Sequence, residues 1–197
     1  FTASLFYYSL LTKHPSMKYL RLFLTFVLIL SVSLSLYSQN NQYKIHDSCY
    51  PYYRQADSLL GFDECNNLVE KLMIQAQKVN DMKAYTLGYT LKLRHAIRKE
   101  DEAKVISCFN EMRKVSIETG YHQYFYYAYQ LISSYYLNLQ QVSKGMEYAN
   151  KMHEEALERN SDYGKWYSAK YLASLYMINY QRNATVRYLK EAIDTYN

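Results

Sequence analysis

The side chains best able to do chemistry in this sequence are scattered. Its five histidines, His14, His46, His95, His122 and His153, form no H-E-x-x-H pair. That motif holds zinc because two imidazoles one helical turn apart reach the same ion. His153 beside Glu154 and Glu155 reads as helix-surface chemistry. Cys49, Cys65 and Cys108 show no C-x-x-C spacing, which argues against a zinc or dithiol site. Their odd number argues against a disulfide framework. In an oxidising compartment one pair could bridge; otherwise the thiols serve as small apolar groups. The five glycines stand singly, with no P-loop, G-x-G-x-x-G or G-x-S-x-G, so no backbone cradle for phosphate is encoded. Glu100, Asp101 and Glu102 fall at a turn, where carboxylates favour a helix dipole. Asn183-Ala184-Thr185 matches a glycosylation acceptor but reads as a helix cap. No catalytic, metal or cofactor residue is expected, and this segment is expected not to be an enzyme.

The richest chemical feature is aromatic. The chain holds 25 tyrosines, and seven of them (Tyr121, Tyr124, Tyr126, Tyr127, Tyr129, Tyr135, Tyr136) crowd into one short stretch. On a helix they fall around the whole circumference, so they cannot all be core. A tyrosine left on an open face is a rigid ring with a polar tip, suited to partner contact; the alternative is packing against neighbouring helices.

The elements that must hold these side chains follow from a 40-residue period. Leu72, Met112, Met152 and Ala192 form one apolar column; Val69, Phe109, Ala149 and Leu189 form a second. Leu68, Cys108, Tyr148 and Tyr188 form a third, and Ala56, Ala96, Tyr136 and Tyr176 a fourth. Asn80, Gly120 and Asn160 share the same spacing and suit the left-handed residue that ends a helix. Asp81 and Ser161 are expected to cap the helices that follow. A second set of caps is expected at Asp63, Ser143 and Asn183, with Asp101 serving the second copy. The pattern predicts helices near 47–60 and 62–79, 82–98 and 101–118, 121–139 and 143–159, 162–180 and 183–196. One helix pair cannot bury its own apolar stripe, but stacked pairs share a core, and four are encoded as units 47–80, 81–120, 121–160 and 161–197.

The N-terminal part reads differently. Residues 1–16 precede Met17 and read as an upstream stretch outside the native protein. Met17-Lys18-Tyr19-Leu20-Arg21 is a short positive start, and Leu22 to Leu36 is an apolar run of about 15 residues, short of the ~20 needed to span a bilayer. Residues 17–38 therefore read as a signal peptide cleaved after Ser38, with an uncleaved anchor as the alternative, and 39–46 as a linker. The net charge of +5 is concentrated there: beyond residue 38, twenty bases face eighteen acids, interspersed. No basic face for nucleic acid is formed.

The third copy, Tyr129-x-x-Ile132-Ser133-x-x-Tyr136 followed by Gly145-x-x-x-Ala149-x-x-Met152, resembles the tetratricopeptide repeat (TPR). So does the fourth, Leu172-Ala173-x-x-Tyr176 followed by Thr185-x-x-x-Leu189-x-x-Ala192. The period is 40 where the family's is usually 34, the usual terminal proline is absent, and the first two copies fit less well. The resemblance implies an all-α, right-handed α-solenoid of about four helix-turn-helix repeats behind a signal-peptide helix. It implies that the first helix of each pair lines an inner groove. On that geometry the candidate binding residues are Arg94 and Arg98, then Tyr127, Gln130, Ser134 and Asn138, then Tyr167, Lys170 and Ser174. These would favour an acidic or C-terminal peptide segment.

A leader followed by such repeats also resembles the N-terminal, extracytoplasmic part of bacterial TPR-containing sensor histidine kinases. That implies a periplasmic sensor or interaction module without cofactor. Its partners would be a protein, a peptide or a second copy of itself, and it would meet the membrane through the export signal or a downstream membrane helix. The chain would then be the first piece of a longer protein. A free periplasmic adaptor in envelope assembly or transport is the alternative.

Overall fold

The computed structural model describes residues 44–196, and the leader, the cleavage position and most of the linker lie outside them. Among the described residues there are eight α-helices and no strand: α1 (Tyr50–Ser58), α2 (Glu64–Lys78), α3 (Met82–Arg98), α4 (Glu102–Glu118), α5 (His122–Asn138), α6 (Val142–Glu158), α7 (Asp162–Ile178) and α8 (Arg182–Tyr196). Ile45, just ahead of α1, is already buried in the core.

The helices follow a twenty-residue beat, half the period legible in the sequence. Asn80, Glu100, Gly120, Gln140, Asn160 and Tyr180 all have positive φ. Each ends a helix in the same way, its N–H bonding the carbonyl three residues back. At five of the six the next residue's N–H also reaches back five residues, as Asp81 does to Ala76 at 2.8 Å and Gln141 to Tyr136 at 2.9 Å. This closure satisfies carbonyls that a helix end leaves free. Glu100, Gln140 and Tyr180 escaped notice because their side chains give no hint of left-handed backbone; the closing hydrogen bonds hold them there. Gln140 is exposed, so Gln140→Gly should remove the Cβ penalty and stabilise by about 0.5–1 kcal/mol, read as a higher urea midpoint. A lower midpoint would show that the turn is not under this constraint.

The caps divide. Asp81 accepts from the Ala84 N–H at 2.9 Å, Asp101 from Lys104 at 3.1 Å and Ser161 from Gly164 at 3.0 Å. Asp63 occupies its capping position but turns its carboxylate to Lys99 Nζ at 2.8 Å. Ser143 and Asn183 do not cap: α6 starts at Val142 and α8 at Arg182, so both lie one residue inside. The closure at Gln140 and Tyr180 fixes those starts earlier than the side chains suggested.

The helices stand in a row. Each packs on the next, and each odd helix also packs on the next odd one. No two even helices come into close backbone contact among the described residues. Long side chains span that face instead: Lys144 to Glu102 at 3.3 Å, Arg113 to Glu155 at 2.6 Å and His153 to Glu191 at 3.1 Å. The apolar columns fill the core. Leu72, Met112, Met152 and Ala192 are all buried, as are Val69, Phe109 and Ala149, whereas Leu189 is exposed. Small residues allow close approach within a pair: Ser133 Oγ donates to the Gly145 carbonyl at 2.8 Å. A Cβ on Gly145 would lie 2.6 Å from Leu137 Cγ. One aromatic stack recurs 40 residues on: Tyr136 on Tyr148 and Tyr176 on Tyr188, each with centroids 5.5 Å apart.

Candidate binding groove

The odd helices meet across consecutive units through side chains 37 residues apart. Arg94 Nη1 of α3 pairs with Asp57 Oδ1 of α1 at 2.5 Å. The Tyr167 hydroxyl of α7 donates to Gln130 Oε1 of α5. Ser134 Oγ lies 3.0 Å from the Tyr171 hydroxyl. Between the C-terminal halves of α3 and α5 lies a pocket of about 460 Å³.

Its walls follow helical spacing. Arg94, Ile97 and Arg98 come from one face of α3; Leu131, Ser134, Tyr135 and Asn138 come from one face of α5. Leu60, Glu100 and Leu139 complete the rim from the turns. Four of the nine candidate residues, Arg94, Arg98, Ser134 and Asn138, are therefore brought together around leucine and isoleucine side chains. One guanidinium is engaged by Asp57, while Arg98 makes no ion pair among the described residues. The pocket thus offers apolar surface, hydroxyl and amide hydrogen-bonding groups, and one uncommitted cation opposed by the Glu100 carboxylate at the lip.

The other five candidates lie further along. Tyr127 is half-buried against the core, and Gln130 Oε1 accepts from the Tyr167 hydroxyl. Lys170 Nζ sits 4.5 Å from the Trp166 ring centroid, and Ser174 is exposed, its hydroxyl donating to the Lys170 carbonyl at 3.0 Å. Of the tyrosine cluster, Tyr126, Tyr129, Tyr135 and Tyr136 are buried; Tyr121, Tyr124 and Tyr127 are half-buried. Tyr126 fills the space that Gly164 leaves, where a Cβ would lie 2.3 Å from its Cζ. The apolar lining was missed as binding surface because Ile97, Leu131 and Leu139 look like core in sequence. Their adjacency to Arg94, Arg98 and Asn138 at helical spacing was the available clue.

The perturbed titratable groups outside the pocket owe their shifts to burial and to close partners. Burial pushes the thiols of Cys49, Cys65 and Cys108 up, away from thiolate reactivity. The Tyr136 hydroxyl, then Lys144, hold the Glu102 carboxyl below the usual range. Among the described residues no three metal-ligating side chains gather. No family model, curated protein or solved structure matches this chain.

Proposed function

We propose that residues 47–197 are a TPR-like, right-handed solenoid that binds peptide or protein segments along its odd-helix face and does no chemistry of its own. In this reading the chain is exported and serves as the extracytoplasmic sensor or interaction module of a bacterial membrane signalling protein of the sensor histidine kinase type. One observation carries the binding role: the pocket in which Arg94, Arg98, Ser134 and Asn138 surround an apolar floor. Such a mixture suits an extended segment whose apolar side chain enters the floor while a carboxylate meets Arg98 and backbone groups meet Ser134 and Asn138. The repeated aromatic stack and the Ser133–Gly145 contact support the repeat architecture.

The test is an array of peptides with free C-terminal carboxylates, measured by fluorescence anisotropy against the purified chain. Peptides ending in an apolar residue beside an acid should bind. Arg98→Glu should weaken them about tenfold or more, the scale of one charge-assisted contact. Leu131→Asp should do the same through the floor. Binding indifferent to both substitutions, or no binding across the array, would remove the proposal.

A further inference from the structure

We propose that His95, buried behind the groove wall, is a proton-operated latch whose protonation releases the Leu60–Phe62 turn and reshapes the pocket; its role in binding rests on the groove reading above. Gly61 N–H donates to His95 Nδ1 at 3.2 Å. An imidazole nitrogen that accepts a backbone N–H carries no proton, so its hydrogen is on Nε2. A second proton must go to Nδ1, and an imidazolium has no acceptor left for Gly61.

This side-chain bond holds the turn together with the Phe62 N–H bond to the Leu59 carbonyl at 3.0 Å. Gly61 has φ +96° and joins α1 to α2, and Leu60 immediately before it lines the pocket. A Cβ on Gly61 would lie 3.4 Å from Arg98 Cβ, so the turn rests on the same stretch of α3 that supplies the pocket's guanidinium groups. Phe62 is 61% exposed and adds little packing to anchor the loop. His95 itself is buried.

The charges facing His95 set the direction. Burial disfavours its cation, as does Lys99 on its own helix; Asp63 at the start of α2 favours it, and Lys104 of α4 opposes it. Asp63 is bonded to Lys99 at 2.8 Å, which offsets part of its pull. From α1, Asp57 is paired with Arg94, and α5 carries no Asp, Glu, Lys or Arg. The result is a value below the ordinary 6.5. The unfolded chain therefore takes the proton first, and the latch's contribution is complete above the ordinary value and is lost as pH falls below it.

The experiment is residue-resolved amide exchange on the whole chain between about pH 7.5 and about pH 5, a span that brackets the imidazole range. After correction for intrinsic rates, the Gly61 amide should lose about tenfold in protection on acidification, the share of one hydrogen bond. The Asn160 amide, bonded to the Leu157 carbonyl at 3.0 Å in an equivalent helix stop, should hold steady. His95→Gln retains an acceptor that does not titrate and should flatten the Gly61 response. Protection at Gly61 that ignores pH, or that falls equally in His95→Gln, overturns the latch. Because the readout is an amide and not a ligand, failure of the peptide-binding proposal would be seen separately.

Discussion

Tyr136→Ala should lower stability by about 4 kcal/mol, the middle of the range for loss of a buried aromatic ring. The ring is 2% exposed and lies within the cluster that holds Phe109, Ile132 and Met152. It stacks on Tyr148 of α6 with planes 7° apart. Its hydroxyl donates to Glu102 Oε1 of α4 at 2.9 Å, and Lys144 Nζ lies 4.9 Å from its centroid. One side chain therefore joins three helices from two consecutive units, and truncation leaves a void that rigid neighbours cannot close. Tyr136→Phe separates the parts: it keeps the ring and removes one hydrogen bond to a carboxylate, at about 1.5 kcal/mol. The counterpart forty residues on, Tyr176, makes the same stack on Tyr188 but is only half-buried. Tyr176→Ala should therefore cost about half as much. Urea unfolding followed by circular dichroism measures all three. Equal losses at 136 and 176, or a loss at 136 under about 1 kcal/mol, would mean that the Tyr136 side chain does not tie its unit to the one before it.

The comparison between those two tyrosines shows what the sequence could and could not convey. The forty-residue columns were legible because burial needs apolar residues at a fixed step, and Leu72, Met112 and Met152 supply them. Helix ends were legible where the ending residue is Asn or Gly, as at Asn80, Gly120 and Asn160, and where Asp or Ser follows to cap. They were illegible at Gln140 and Tyr180, where backbone closure does the same work with residues of no special type, so the capping side chains of Ser143 and Asn183 point to helix starts that fall too late. The groove was half legible. Arg94, Arg98, Ser134 and Asn138 stand out as polar residues on the right helices, while Leu131 and Leu139 differ from core leucines only in facing the pocket between α3 and α5. No pattern within one unit announces a contact 37 residues away, so the Asp57–Arg94 pair, which occupies half of the groove's positive charge, needed three dimensions.

Glu155→Ala should cost about 3 kcal/mol and should also widen the groove on the opposite face. Glu155 of α6 accepts from Arg113 Nη2 of α4 at 2.6 Å, from Arg159 Nε at 3.0 Å and from the Tyr129 hydroxyl of α5 at 3.2 Å. Arg113 lies between Phe109, Phe125 and Tyr129, its Cζ 5.3, 5.0 and 4.7 Å from their centroids, and its Nε is buried without a partner. Removing the carboxylate strands that guanidinium among rings. Fully buried pairs lose about 3–5 kcal/mol when one partner goes; here Arg113 and Glu155 keep 26% and 24% of their side-chain exposure, and the attraction of the rings survives, so the low end applies. Arg113→Met with Glu155→Leu should recover most of the loss, because no stranded charge remains, and the coupling in that cycle should exceed about 1 kcal/mol. A change within about 0.5 kcal/mol for Glu155→Ala would class the pair with solvent-exposed bridges. The expected effect on the groove rests on the packing: α4 and α6 do not touch through their backbones, and this bridge and the Lys144–Glu102 bridge are ion pairs that join them directly, beside the α5 helix packed on both. Loosening this face should let α3 and α5 move apart around the pocket. Spin labels placed on exposed Ser107 of α4 and Glu154 of α6 should therefore report a longer, broader distance distribution in Glu155→Ala. An unchanged distribution beside the stability loss would confine the brace to holding the helices down, with no hold on the groove.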